Sequence, residues 1–482
     1  MFQSRIRSDN YKQLIRKIKY FVSFFISLYF FLPECMAVSD TLFIVSDIRI
    51  SGNNLTHEKV ILRELTFSTG DTISSSGLPA HLERSRDNVL NTSLFNFVTM
   101  NYETLDNNIS ISISLIERWY LWPIPIFEHA ERNLGAFFKN QDWNKINYGI
   151  QLNWNNFRGR RETLIFKTRL GYKEQFAINY NKPNIGKNQK FGVFGAINLF
   201  RMHEVNTMAI DNKPVYLRSD SVHIYQDFSA LLKFSYRESL YLTHSFILGY
   251  VGITFRDSVN HFDFLGVPYN RKPRFFTLEY FMEYDIRDSK YYPLKGQYFR
   301  INLRQRGLGI GSEYNQTRSS LLLYAAYHKQ WSERWYHNQA TLVNISKDTR
   351  DPGFYRTGIG YVAYLRGYEL NTIEGTSSCI LTNNLKYCFT HEKTFTLPKI
   401  PWYQFNKVHL SLYGNLFVDA GYSRGNFPDY YNNTFMNKFL YSVGLGFDVV
   451  TYYDQVYRFE TSMNRQGIFG FYVSMEVPFK RL

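Results

Sequence analysis

The sequence predicts a mainly β protein: a transmembrane antiparallel β-barrel of about sixteen strands behind a small N-terminal α+β domain. Three observations predict it. An export-type leader opens the chain, period-2 alternation fills everything beyond Asn140, and 18% of all residues are aromatic. Alternation alone also fits a soluble sandwich, whose apolar face is buried. Here the apolar faces run the length of each strand and end in aromatics, while small polar residues occupy the opposite face, as in strands of roughly 10 residues that meet lipid.

Arg5, Arg7, Lys12, Arg16, Lys17 and Lys19 precede an apolar run from Phe21 to Leu32. Cys35 and Ala37 then fall at −3 and −1 if cleavage follows Ala37. This is the layout of a secretory signal peptide over residues 1–37. The apolar run has about a dozen residues, short of the roughly 20 a spanning helix requires. Leu32-Pro33-Glu34-Cys35 lacks the small residues of a lipoprotein site. No later stretch is long and apolar enough for a membrane helix, and the mean hydropathy is negative.

Composition excludes several classes. With the leader removed, Cys379 and Cys388 are the remaining cysteines. An odd separation on one strand sends them to opposite faces, so neither a disulfide nor a zinc site is available. The net charge of +15 is spread along the chain rather than clustered, which fits a barrel's lumen and rims and not a nucleic-acid partner. There is no His-Glu-x-x-His, Gly-x-Ser-x-Gly or phosphate loop, so the chain is not read as an enzyme and needs no cofactor. Gly307-Leu308-Gly309-Ile310-Gly311 reads as a turn at a strand end, and His57-Glu58 as a solvated first turn of a helix.

Residues 41–119 form the small domain. Leu42 to Ser51 alternates as a strand, and Gly52-Asn53-Asn54 turns the chain into a helix over His57 to Thr66. A turn at Gly70-Asp71 leads to a longer helix that ends near Asn91, with Leu78, Leu82, Val89, Leu90 and Leu94 at helical spacing. Strands Phe97 to Leu105 and Ile109 to Glu117 follow, joined by the turn Asp106-Asn107-Asn108. The order is β-α-α-β-β. Residues 120–142 read as a junction and 143–482 as the barrel.

In the barrel, Ile146, Tyr148, Ile150, Leu152 and Trp154 share one face against Asn147, Gly149, Gln151, Asn153 and Asn155. Phe299, Ile301 and Leu303 oppose Arg300, Asn302 and Arg304. Tyr441, Val443, Leu445, Phe447 and Val449 oppose Ser442, Gly444, Gly446 and Asp448. The last segment sets Phe471, Val473, Met475, Val477 and Phe479 against Tyr472, Ser474, Glu476 and Pro478. Met202 to Ser221 is read as holding either a strand or a loop.

Several strings carry a family resemblance. Ile48 to Leu65, with Gly52-Asn53 and Arg63-Glu64-Leu65, resembles the start of a POTRA domain, and so does Leu94-Phe95-Asn96-Phe97-Val98. Glu117 to Pro125 and Glu131-Arg132-Asn133 resemble the junction between POTRA and barrel in a bacteroidete-type branch of the BamA/TamA outer-membrane assembly family. Asn156-Phe157-Arg158-Gly159 resembles that barrel's first hairpin, and Asp285-Ile286-Arg287-Asp288 with Pro293 and Gly296 one of its periplasmic turns. Leu365-Arg366-Gly367-Tyr368 resembles the tip of its long sixth extracellular loop. Phe417-Val418-Asp419-Ala420-Gly421 is similar to the strand that meets this tip.

On that strand Phe417, Asp419 and Gly421 face one way, so Asp419 is expected in the lumen, where a buried carboxylate needs a partner. Arg366 is expected to supply a forked contact, and Gly367 to let the loop backbone pass close to the wall. The same pair also reads as a plug that stiffens the barrel. The family's next strand brings a lumenal Glu; the matching place here holds Asn384, with Lys386 two residues on.

The resemblance implies an outer-membrane barrel that inserts or translocates other β-rich proteins, with its N-terminal domain in the periplasm. The implied partners are outer-membrane lipids, unfolded client proteins and accessory lipoproteins. Strand chemistry gives a route: Phe97, Val98 and Met100 mark a POTRA sheet edge open to β-augmentation. A barrel seam is expected between the first strand (Ile146, Tyr148, Ile150) and the last (Val477, Pro478, Phe479), weakened if Pro478, which lacks an N–H, faces the partner. A single POTRA domain fits between leader and barrel, which leaves a specialised exporter of few clients open. A passive diffusion channel is the other alternative. A surface adhesin fits poorly with short loops, and a TonB-type transporter with this strand–helix order.

Overall fold

The structure, a computed structural model, describes residues 40–129, 143–256, 272–310, 317–347, 357–360, 363–425 and 432–476. The leader, Glu131-Arg132-Asn133, Gly311 and the seam residues Val477, Pro478 and Phe479 lie outside the described residues.

The small domain runs β1 (Leu42–Ser51), α1 (Glu58–Leu62), β2 (Thr72–Ser74), α2 (Leu78–Leu90), β3 (Phe95–Leu105) and β4 (Asn108–Glu117). Its sheet has the order β2-β1-β4-β3, with β1 parallel to β4. Ile109, Ile111 and Ile113 of β4 recur at period 2 and point into one core with Val60, Ile61 and Val89 from the helices. Two details differ from the sequence reading. Strand β2, three residues paired to β1, is too short to show a pattern. Helix α1 stops at Leu62, because Thr66 gives its N–H to the Ser85 hydroxyl (2.9 Å) instead of to a helical carbonyl.

Next come β5 (Leu121–His129), β6 (Ile146–Phe157), β7 (Glu162–Gly171), β8 (Lys173–Ile185) and β9 (Phe191–Met202). A hairpin, β10 (Glu204–Ile210) with β11 (Lys213–Arg218), stands outside the wall. The wall resumes with β12 (Tyr225–Arg237), β13 (Leu242–Phe255), β14 (Arg274–Asp285), β15 (Gly296–Arg306), β16 (Arg318–Gln330) and β17 (Trp335–Ser346). A short pair, β18 (Thr357–Ile359) and β19 (Ile373–Gly375), lies in the following loop. The chain closes with β20 (Ser377–Thr396), α3 (Tyr403–Asn406), β21 (Lys407–Arg424), β22 (Phe439–Thr451), β23 (Gln455–Asn464) and β24 (Phe469–Glu476).

Among the described residues, β5–β9, β12–β17 and β20–β24 form one antiparallel sheet of 16 strands. Its polarity is inverted relative to a soluble protein. Leu445 (62%), Val473 (60%) and Phe246 (59%) are exposed, while Asn153 (2%), Asp419 (1%) and Ser442 (0%) are buried. Apolar side chains outside and polar ones inside are stable where the outer solvent is hydrocarbon. No described helix is long and apolar enough to cross a membrane. Beyond Met202, where β9 ends, the stretch to Ser221 contributes no wall strand among the described residues. The sheet instead gains β5 upstream, which the sequence reading assigned to the junction. The prolines at 123 and 125 hide a strand there from propensity.

Candidate functional site

Three features of the barrel interior and rim converge on function. The first is the lumenal plug. Asp419 and Phe417 point inward from β21, while Leu416 and Val418 point outward. The loop after β17 returns into the lumen and seats Leu365 and Tyr368, both fully buried. Arg366 donates from Nε to Asp419 Oδ2 (2.6 Å) and from Nη2 to Asp419 Oδ1 (2.7 Å), a forked pair. Its remaining hydrogens reach Glu460 Oε1 (3.0 Å) and Asn384 Oδ1 (2.9 Å), and its guanidinium lies 3.6 Å from the centre of the Phe417 ring.

The glycines explain how the loop fits. Gly367 has φ 82, and the carbonyl oxygen of Gly367 accepts from Asn464 Nδ2 (2.9 Å). A Cβ on Gly421 would come within 2.8 Å of Leu365, so the loop packs directly on the wall there. Tyr368 donates to the Tyr441 carbonyl (3.2 Å). Asn384 takes part as an acceptor and not as a charge. The second carboxylate comes instead from Glu460 on β23, which the sequence reading did not find, although it shares its face with buried Ser462. Lys386 serves a different pair: Asp448, at 3.8 Å, also accepts from Tyr292 (2.7 Å), which folds in from the β14–β15 turn.

The second feature is the cap. The small domain covers the mouth of the barrel into which its own chain leads. Glu64, 3% exposed, accepts both Nη atoms of Arg237 (2.7 Å each) at the end of β12 and Arg161 Nη1 (3.2 Å) from the β6–β7 turn. Arg118 pairs with Asp454 (2.7 Å), and Arg84 donates to the carbonyl of Ile286 (2.9 Å). Asn91 donates to the Asp288 carbonyl (2.8 Å), so the Asp285-Ile286-Arg287-Asp288 turn faces the domain. Burial alone would push the Glu64 carboxyl up. The hydrogen bond from Arg237 and the charges of Arg161, Arg237 and Arg63 outweigh burial and hold it down at about 2.

A pH dependence follows from the depressed value. A free carboxyl titrates near about 4.3, so the latch contributes fully above that pH and is lost as pH falls through about 2. Spin labels on Asn107 and Ser332 should therefore give one distance from about pH 7 to about pH 5 and a broadened one as pH falls through about 2. A distance already broad at neutral pH would contradict the latch.

The third feature is the seam. No backbone ladder joins β5 to β24 among the described residues; they are the two ends of the sheet. Ile146, Tyr148 and Ile150, expected at the seam, lie on β6, one strand in from that edge. Asn155 donates to the Tyr120 carbonyl (2.7 Å), so even-numbered residues of β5 bond to β6 and odd-numbered ones face the open side. Pro123 and Pro125 are therefore the residues whose missing N–H groups leave gaps on that side. Opposite, Asn464 donates to the Ile468 carbonyl (3.1 Å), which sets the even residues of β24 toward β23. Phe469, Phe471, Val473 and Met475 then offer a full row of donors and acceptors to the open side.

The POTRA edge divides in two. Val98 is buried and Phe97 and Met100 are half-buried; the Phe97 ring meets His409 edge-on at 6.5 Å, and Asn96 donates to the Gln404 carbonyl (3.0 Å). That part is docked on the barrel. Asn101 to Leu105 is the exposed part of the edge.

A capped and plugged barrel whose first and last strands are not paired among the described residues points to a class of outer-membrane protein. Residues 156–451 match the Omp85 superfamily domain, and residues 43–118 match the surface antigen variable number repeat, a POTRA unit. The chain belongs to the Omp85 superfamily. Among solved structures it is similar to CdiB from Escherichia coli, with 10% identity, 90% of this chain and 75% of that one covered, and a TM-score of 0.51. It is also similar to BamA from Haemophilus ducreyi lacking POTRA domains 1–3, with 14% identity, 90% and 83% covered, and a TM-score of 0.49. No curated protein matches the chain. Proteins of this superfamily are transport or insertion barrels of the Gram-negative outer membrane, not enzymes, and their POTRA domains lie in the periplasm.

Proposed function

We propose that this protein inserts or translocates other β-rich outer-membrane or secreted proteins by opening the seam between β5 and β24. The lack of a ladder between β5 and β24 among the described residues carries the reading. A free strand edge in hydrocarbon is costly and seeks a partner, so an incoming strand gains its hydrogen bonds there. The two edges are unequal: Pro123 and Pro125 remove two donors from β5, whereas β24 keeps its row complete. β24 is accordingly the templating strand and β5 the strand that yields. Asn101 to Leu105 holds the client beforehand by β-augmentation.

The passive-channel reading is disfavoured by Arg366 and Glu64, which tie a loop and a domain across the path. One POTRA domain supports a narrow clientele. Depleting the protein and comparing outer-membrane proteomes tests the function. Loss of one or a few barrel or secreted proteins is the expected result. An unchanged proteome with altered solute uptake would overturn the reading in favour of a channel.

A further inference from the structure

Between the POTRA cap and the barrel wall lies a chamber of about 950 Å³. Nine of its lining side chains are Lys or Arg, and three are Asp or Glu. Two of the three carboxylates are fully committed. Glu64 is held by Arg237 and Arg161, and Asp285 by Arg287 at 2.8 Å. Glu283 remains, and it accepts from the Tyr298 hydroxyl (2.6 Å) while lying 3.7 Å from Arg300.

Two cations gather at one aromatic ring, one of them beside Glu283. Lys233 Nζ lies 5.8 Å and the Arg300 guanidinium 4.7 Å from the centre of one ring, Phe281. Arg300 Nε has no hydrogen-bond partner among the described residues. Like charges gathered at one ring inside low-dielectric walls create a positive potential that an anion relieves. The chamber already receives one such group. Glu64 is a carboxylate brought in by a separate domain and gripped by guanidiniums of the barrel.

We propose that this chamber binds acidic side chains of an extended client segment, with Lys233 and the unbonded Nε side of the Arg300 guanidinium as its contacts. The inference rests on the translocation reading above and names its substrate class. A polypeptide is favoured over a small anion because the carboxylate that the barrel guanidiniums already grip on this wall, Glu64, is a protein side chain, and because the chamber adjoins the domain with the exposed strand edge. The spread of the +15 net charge, which the fold alone does not require, acquires a use on this wall.

The test is calorimetric titration of the folded full-length protein with an octapeptide alternating threonine and glutamate, beside its glutamine counterpart. The acidic peptide should bind saturably at about 50 mM salt and at least about tenfold more tightly than the neutral one. Lys233→Gln with Arg300→Gln should weaken it by about tenfold or more, while Lys233→Arg, which keeps the charge, should bind as the parent does. Equal affinity for both peptides, or undiminished binding by the double glutamine variant, would overturn the proposal. Inorganic pyrophosphate outcompeting the peptide at equal charge would overturn it in favour of a small-anion site. Because binding is read without insertion, charge-blind binding alongside client loss on depletion removes this inference alone. Acidic-peptide binding without client loss removes the insertion reading alone.

Discussion

Replacing Arg366 with Gln is expected to free the loop from the lumen and to cut client assembly by about tenfold or more. Asp419 is 1% exposed, and Arg366 is its forked partner. Removing one member of a buried, hydrogen-bonded pair costs about 3–5 kcal/mol, because the remaining charge stays buried without compensation. Here one guanidinium serves the carboxylates of Asp419 and Glu460, donates to Asn384 and covers Phe417, so a single substitution removes four contacts at once. The wall keeps its ladders and should still fold. Arg366→Lys retains charge but cannot fork, and it should fall between the two. Heat-modifiability of the folded barrel and the yield of assembled client measure the two effects separately. Full client yield in Arg366→Gln, with the loop demonstrably released, would show the plug to be structural only.

The architecture was legible where burial has one dominant cause. Alternation placed Phe417 and Asp419 on the inner face and Leu416 and Val418 on the outer, since a strand's side-chain period of 2 leaves no other choice. The Leu365-Arg366-Gly367-Tyr368 string located the tip that meets them. Glu460 escaped because its partner arrives from 94 residues away, a separation that local pattern does not encode. The first wall strand escaped for a different reason. Pro123 and Pro125 argue against a strand in general, yet an edge strand tolerates proline on its unpaired side. The Arg63-Glu64-Leu65 string carried only a family resemblance in the sequence and not the latch, because the partners of Glu64, Arg161 and Arg237, become neighbours only when the domain docks.

The second large effect concerns the seam. The proposed mechanism requires β5 and β24 to separate, and the gaps left by Pro123 and Pro125 lower the cost of doing so. A covalent tie between the two strands should stop client insertion outright without touching the plug, the cap or the chamber. The native thiols, Cys379 and Cys388, are both free and would first be changed to serine so that they do not exchange with the introduced pair. Cysteines are then placed in pairs, one in Leu121–His129 and one in Phe469–Glu476. A pair in register needs Cα atoms about 4.4–6.8 Å apart, so bridges form only where the strands lie side by side.

The decisive measurement is client insertion into liposomes by such a pair, oxidised and then reduced. No insertion is expected while the bridge is intact, with recovery to the parent level once a reductant opens it. Undiminished insertion through a seam shown to be fully bridged would contradict the proposed mechanism.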